Sequence, residues 1–159
     1  MNYLIQKMRK IRVGLTRHQL REVAFQTIFS MMYQEDAEII NAISYTLSLM
    51  DETFELEEED LVIPTYLEVV VTGITDKQDT LDATIEKHLK GWKINRLAKA
   101  DLIILRLAIF EMLYLTDIPN KVSLNEALEL AKTYSDDESK RFINGVLSSV
   151  LDDIESQNK

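Results

Sequence analysis

Backbone punctuation is scarce in this chain, and the scarcity limits the folds open to it. Four Gly and two Pro are spread over 159 residues. Sheet proteins need a turn every few residues and draw on Gly and Pro to make them, so this sequence favours long helices. Apolar spacing agrees. Thr16-Arg17-His18-Gln19 has the form of a capping box, and Leu20, Ala24, Ile28 and Met31 then recur at helical spacing. A first helix is therefore expected over about residues 17–33. Ile40, Ile43, Leu47 and Met50 mark a second. It ends in Asp51 to Asp60, where seven of ten residues are acidic; such a run is expected as a solvated loop, because like charges repel and are costly to bury.

Pro64 suits the first turn of a third helix, although Val69-Val70-Val71 would favour a strand by propensity. Leu81, Ile85 and Leu89 fit a short helix ending near Gly91. From Ala98 to Thr116 apolar residues fall on nearly every side, the pattern of a helix surrounded by others. Pro119 closes that segment, and Ser123-Leu124-Asn125-Glu126 reads as a second capping box that opens the next helix. Phe142, Val146, Val150 and Ile154 are in register along a last helix from Ser139. The fold class is all-α, with about seven helices in one domain. A chain this long can bury roughly 70% of its unfolded surface and needs no staples.

Cys is absent, which removes disulfides, thiol catalysis and Cys-based zinc sites, and accords with a reducing, cytoplasmic setting. The longest apolar stretch, Leu102 to Leu115, is too short to span a bilayer and carries Arg106 and Glu111. These two charges are five residues apart, so each must find its partner elsewhere or reach the surface. Neither His18 nor His88 has metal-ligand spacing, and there is no Gly-rich phosphate loop or G-x-S-x-G. No catalytic residue, metal site or cofactor is expected. Trp92, after Gly91, reads as a core or hinge anchor, with base stacking as the rarer alternative.

Charge is asymmetric. The formal net charge is −9, yet Lys7, Arg9, Lys10, Arg12, Arg17 and Arg21 all precede the first acid, Glu22. No Lys or Arg follows until Lys77. A basic arm on an acidic body can hold a nucleic acid, because phosphate contacts need a local patch and not a basic total. Charge alone leaves open a solvated basic tail.

Three motifs in order are more specific. Ile104-Leu105-Arg106-Leu107-Ala108-Ile109-Phe110-Glu111-Met112-Leu113 comes first. Asp117-Ile118-Pro119-Asn120-Lys121-Val122-Ser123-Leu124-Asn125-Glu126-Ala127-Leu128-Glu129-Leu130-Ala131-Lys132 follows. Ser139-Lys140-Arg141-Phe142-Ile143-Asn144-Gly145-Val146-Leu147 is the third. Together with Arg21-Glu22-x-Ala24-x-Gln26 they resemble the NusB family over roughly residues 16–154. Residues 16–159 then form the NusB-like domain. Residues 1–15 are a basic N-terminal extension, or a start placed upstream of where family members begin.

The resemblance implies two packed helical subdomains and a role in transcription antitermination, without catalysis. Family members pair with a NusE-like small-subunit ribosomal protein, bind boxA-type single-stranded RNA and help RNA polymerase pass terminators, notably in ribosomal RNA operons. Monomers and homodimers both occur among them. Carried over by position, Arg17, His18 and Arg21 in the first helix and Lys140, Arg141 and Phe142 in the last are the expected RNA-facing residues. Arg and Lys would hold phosphates and base edges, and Phe an unpaired base; Phe142 as core and Lys140 and Arg141 as ordinary surface charge stay open. Phe29, Tyr33 and Asp101 are the expected partner contacts. The family's run of Arg before the first helix is thinned here to Arg17 and Arg21. Gly145 inside the last helix points to close helix packing or to close approach of RNA. Two other readings remain: a helical protein-binding scaffold without RNA specificity, and a stand-alone relative of the RNA-recognition domain of RNA cytosine methyltransferases.

Overall fold

A computed structural model of the chain describes residues 15–34, 36–50 and 63–158. Within these are α1 (Arg17–Met31), α2 (Ile39–Met50), α3 (Thr65–Asp76), α4 (Gln78–Lys87), α5 (Lys99–Tyr114), α6 (Asn120–Tyr134) and α7 (Asp137–Gln157), with a 3₁₀ turn at Ile94–Arg96. No strand occurs among the described residues. Val69-Val70-Val71 is helical: Val70 and Val71 are fully buried and only Val69 faces out, so burial on one helix face outweighs β-propensity. The acidic run 51–60 and the extension 1–14 lie outside the described residues.

The chain divides into two compact units, 1–72 and 73–159, with the boundary inside α3. In the first unit α1 packs on α2. Val23, Ala24, Phe25 and Ile28 of α1 and Ile43 and Leu47 of α2 are buried. The capping box opens α1 as its sequence requires: the Gln19 amide donates to Thr16 Oγ1 at 3.1 Å, and the Thr16 amide to Gln19 Oε1 at 2.9 Å. Two buried hydroxyls are satisfied by their own helices, Thr27 donating to the Val23 carbonyl at 2.7 Å and Thr46 to that of Ala42 at 2.9 Å.

In the second unit α5 packs against α4, α6 and α7. Ile103, Ile104, Leu105 and Ile109 are fully buried, and Leu107, Ala108, Phe110 and Met112 nearly so. At about 1.5–3 kcal/mol per buried aliphatic side chain, this helix dominates the core of its unit. Its two buried charges find partners on different neighbours. Arg106 forks onto Asp82 of α4, Nε to Oδ1 at 2.7 Å and one terminal nitrogen to Oδ2 at 2.8 Å. Glu111, 1% exposed, accepts from the Ser123 hydroxyl of α6 at 2.8 Å.

That second contact corrects the expected helix start. α6 begins at Asn120, directly after Pro119, and the amides of Val122 and Ser123 already donate to the Pro119 carbonyl. Ser123 is thus a buried residue one turn inside the helix, where its hydroxyl satisfies Glu111 instead of capping. Proline fixed the start because it is suited to the first turn, where its missing N–H costs nothing. Gly73 on α3 is set by close approach: a β-carbon there would run into the Phe110 ring of α5. Gly91 turns the chain after α4 at φ +79°, a conformation side chains disfavour.

Removing one partner of the Arg106–Asp82 fork leaves a buried cation unpaired. Asp82→Ala is expected to lower the unfolding free energy by about 2–4 kcal/mol in urea titrations, with Asp82→Ala/Arg106→Leu recovering part of the loss. A single-mutant loss below about 0.5 kcal/mol, the range of ordinary surface changes, would show that the fork does not hold α4 to α5.

Candidate nucleic-acid interface

At the start of α1 the cap fixes where the first cations stand. Arg17 is exposed, with its guanidinium carbon 4.7 Å from the centroid of the Tyr66 ring, close enough for cation–π attraction. His18 Nε2 lies 2.9 Å from Glu22 Oε1, one turn on, so its imidazole faces a carboxylate. Arg21, expected to face RNA, is instead 3% exposed, its guanidinium carbon 6.0 Å from the same Tyr66 ring. One helical turn carries Arg21 from the outer face occupied by Arg17 into the interior of the unit. In this arrangement it supports the start of α1 and does not present its charge outward.

The start of α7 is capped by Asp136, which accepts from the Ser139 amide at 2.8 Å. That hydrogen bond holds the Asp136 carboxyl below its ordinary pKa. Asp137 and Glu138 in the first turn suit the positive end of the helix dipole. Arg141 is exposed, Lys140 half-buried, and Phe142 half-buried with its ring centroid 6.5 Å from that of Trp92. Phe142 is therefore neither core nor a free platform, but one wall of an aromatic pair. Arg141, Asn144 and Gly145 share an exposed strip. A β-carbon on Gly145 would meet nothing within 4 Å, so helix packing does not require this glycine and that expectation is overturned.

Arg17 and His18 belong to the first unit, and Lys140, Arg141 and Phe142 to the second. Within each group the side chains stand on one helix start.

Of the expected partner contacts, Phe29 and Tyr33 form a continuous aromatic run with Phe25. Ring centroids are 6.1 Å apart for Phe25–Phe29 and 5.5 Å for Phe29–Tyr33. Tyr33 is 61% exposed and Met32 beside it 37%. Asp101 does not behave as an open acid. It is 6% exposed, and its two carboxylate oxygens accept from the hydroxyls of Ser135 at 2.8 Å and Ser139 at 2.9 Å. It ties the first turn of α5 to the end of α6 and the start of α7.

Trp92 was expected as a core or hinge anchor, and it is neither buried nor packed inside: 58% of its surface is exposed. Around it Lys90, Lys93, Arg96 and Lys99 are exposed as well, in a connector with no acid between Glu86 and Asp101. The charge pattern of this connector, a cation at every third position from Lys87 to Lys99, is visible in the sequence and points to the same surface. His88, by contrast, is tucked in, with Nδ1 2.7 Å from the Ser149 hydroxyl and Nε2 3.4 Å from Asp153 Oδ2. Asp153 also accepts from Lys87 Nζ at 3.0 Å, and this partner lowers its pKa. No helix among the described residues is long and apolar enough to cross a membrane.

Comparison with known proteins agrees with this arrangement. The NusB family profile matches residues 18–152, a span that includes α5, α6 and most of α1 and α7. The chain is 46% identical over 150 residues to the transcription antitermination protein NusB of Enterococcus faecalis, covering 94% of this chain and 97% of that one. It is 48% identical over 141 residues to the protein of the same name from Latilactobacillus sakei, covering 87% and 98%. Among solved structures, T. maritima NusB superposes with a TM-score of 0.71 at 29% identity, covering 86% of this chain and 90% of that one. A complex of the antitermination factors NusB and NusE with double-stranded RNA shares the fold, with a TM-score of 0.67 at 22% identity and coverage of 86% and 97%. Sequence along nearly the whole length and helical architecture lead to one conclusion: the chain belongs to the NusB family.

Proposed function

We propose that this chain is a transcription antitermination factor that binds boxA-type single-stranded RNA jointly with a NusE-like ribosomal protein, in the cytoplasm, and supports read-through by RNA polymerase, notably in ribosomal RNA operons. The observation that carries the reading is the family match over residues 18–152, which covers almost all of both cation-bearing helix starts. Curated relatives are named for antitermination, and the same fold is seen with NusE and RNA. The role is one of binding, and no reaction step is assigned to any residue.

Arg17 and Arg141 are the side chains best placed to take phosphates, because both are exposed on capped helices whose first turns are fixed in advance. Lys140 adds charge beside Arg141, and His18 lies next to Arg17. Arg21, being buried, positions this surface. Tyr33 and Phe29 present the apolar edge suited to the protein partner, since aromatic anchors dominate such contacts. A second copy of the chain could use the same rings, so a homodimer would compete with the partner.

Fluorescence anisotropy of a labelled boxA-type RNA tests the reading, with and without the partner and against a scrambled RNA. The partner is expected to tighten binding, and the scrambled RNA to bind less well. Arg17→Ala and Arg141→Ala should each weaken binding about tenfold and flatten the slope of log K against log salt by about 0.7 per lost phosphate contact. A flat salt response in the unmodified protein would favour a protein-only scaffold.

Gly145 gives a second, sharper prediction. Gly145→Ala is expected to raise stability by about 0.5–1 kcal/mol in urea unfolding, because the new methyl meets only solvent and Ala is the better helix former. If RNA approaches the strip beside Arg141, the same methyl will weaken RNA binding. A stabilised variant with unchanged affinity would take Gly145 out of the interface.

A further inference from the structure

The connector between α4 and α5 carries a combination that the motifs shared with the family do not explain. An indole is left 58% exposed on a surface loop, although Trp is among the side chains that gain most from burial. Gly91, at φ +79°, turns the chain immediately before it. Four exposed cations, Lys90, Lys93, Arg96 and Lys99, lie within ten residues around it. Beside the indole is a cleft of about 190 Å³ whose lining includes Trp92, Arg96, Asp101, Glu138, Ser139 and Phe142. Drug-sized ligands occupy sites of roughly 300–1,000 Å³, so this cleft suits one small ring system.

The polar groups lining the cleft are not equivalent. Asp101 is saturated by Ser135 and Ser139, and Asp136 is engaged by the Ser139 amide. Glu138 and Arg96 make no ion pair among the described residues, with each other or with any third group. The cleft therefore offers one open carboxylate, one open guanidinium and an aromatic face, inside a ring of cations. Cations take phosphates, and an aromatic face takes an unpaired base. A carboxylate accepts from an exocyclic amine and repels a carbonyl.

We propose that this cleft is a subsite for one unpaired RNA base bearing an exocyclic amine, stacked on Trp92 against Phe142. Glu138 accepts from the amine, and Arg96 donates to a ring nitrogen or carbonyl or holds the adjacent phosphate. Lys90, Lys93 and Lys99 hold the flanking backbone. Adenine, cytosine and guanine meet these requirements; uracil, with two carbonyls and no amine, does not. A cationic side chain of a protein could also sit on the indole, but four flanking cations oppose a basic peptide. The subsite rests on the RNA-binding reading and specifies where and how one base is read.

Trp92 is the only tryptophan, so its emission reports the subsite directly. The full-length protein would be titrated with short oligo(C), oligo(A) and oligo(U) RNA, following Trp92 emission and, separately, anisotropy of end-labelled RNA. Quenching by oligo(C) and oligo(A) is expected at concentrations at least tenfold below those needed for oligo(U). Trp92→Ala should weaken oligo(C) binding about tenfold and Trp92→Phe should restore most of it, with unchanged circular dichroism in both. Glu138→Gln should narrow the gap between oligo(C) and oligo(U). RNA binding by anisotropy without any change in Trp92 emission would overturn the subsite and leave the RNA reading standing. Absence of RNA binding in both signals would overturn both. Quenching by an arginine-rich peptide but by no RNA would assign the cleft to a protein ligand and overturn the proposal.

Discussion

Arg106 is held in the core by both carboxylate oxygens of Asp82, and the arrangement of the second unit follows from that helix. α5 is apolar around nearly its whole circumference, so apolar burial alone would leave its rotation against its neighbours loosely specified. Its three buried polar groups remove that freedom. Asp101 engages the end of α6 and the start of α7, Arg106 engages α4, and Glu111 engages α6. Each group would be costly without its partner, so only one register satisfies all three. Buried networks of this kind specify an arrangement more than they add net stability.

The division of labour among charges is the functional consequence. Acids and bases inside the second unit are consumed by structure, and Asp101 is the instructive case: an acid at the start of the central helix invites a docking role, yet both its oxygens are occupied. Arg21 is buried in the same way in the first unit. The charges left for a ligand are those on capped helix starts and in the connector before α5: Arg17, Arg141, Lys90, Lys93, Arg96 and Lys99. An acidic protein can hold RNA through them because phosphates respond to local potential.

Much of this was legible in the sequence, for identifiable reasons. The helices could be read from apolar spacing, and the Thr16–Gln19 cap from side-chain chemistry that acts over three residues. Ser123–Glu126 has the same pattern and is not a cap, because Pro119 starts the helix earlier and Glu111 claims the Ser123 hydroxyl; a local motif cannot show a partner twelve residues away. Val69-Val70-Val71 is helical because tertiary burial overrides propensity. At the candidate interface, residue type was readable and exposure was not. Arg17 and Arg21 look alike in sequence, and one helical turn separates an outward cation from a buried one. Trp92 was misjudged by the general rule that large aromatics are covered, although the spacing of cations around it carried the opposite signal.

The central claim is that this fold acts by joining RNA to the transcription machinery, and single-round transcription in vitro addresses it most directly. A template carrying boxA upstream of an intrinsic terminator would be transcribed with and without this protein and its NusE-like partner, and full-length and terminated transcripts counted. The account predicts that the two proteins together raise the full-length fraction, and that scrambling boxA abolishes the gain. An equal gain on the scrambled template, or no gain on either, would contradict it.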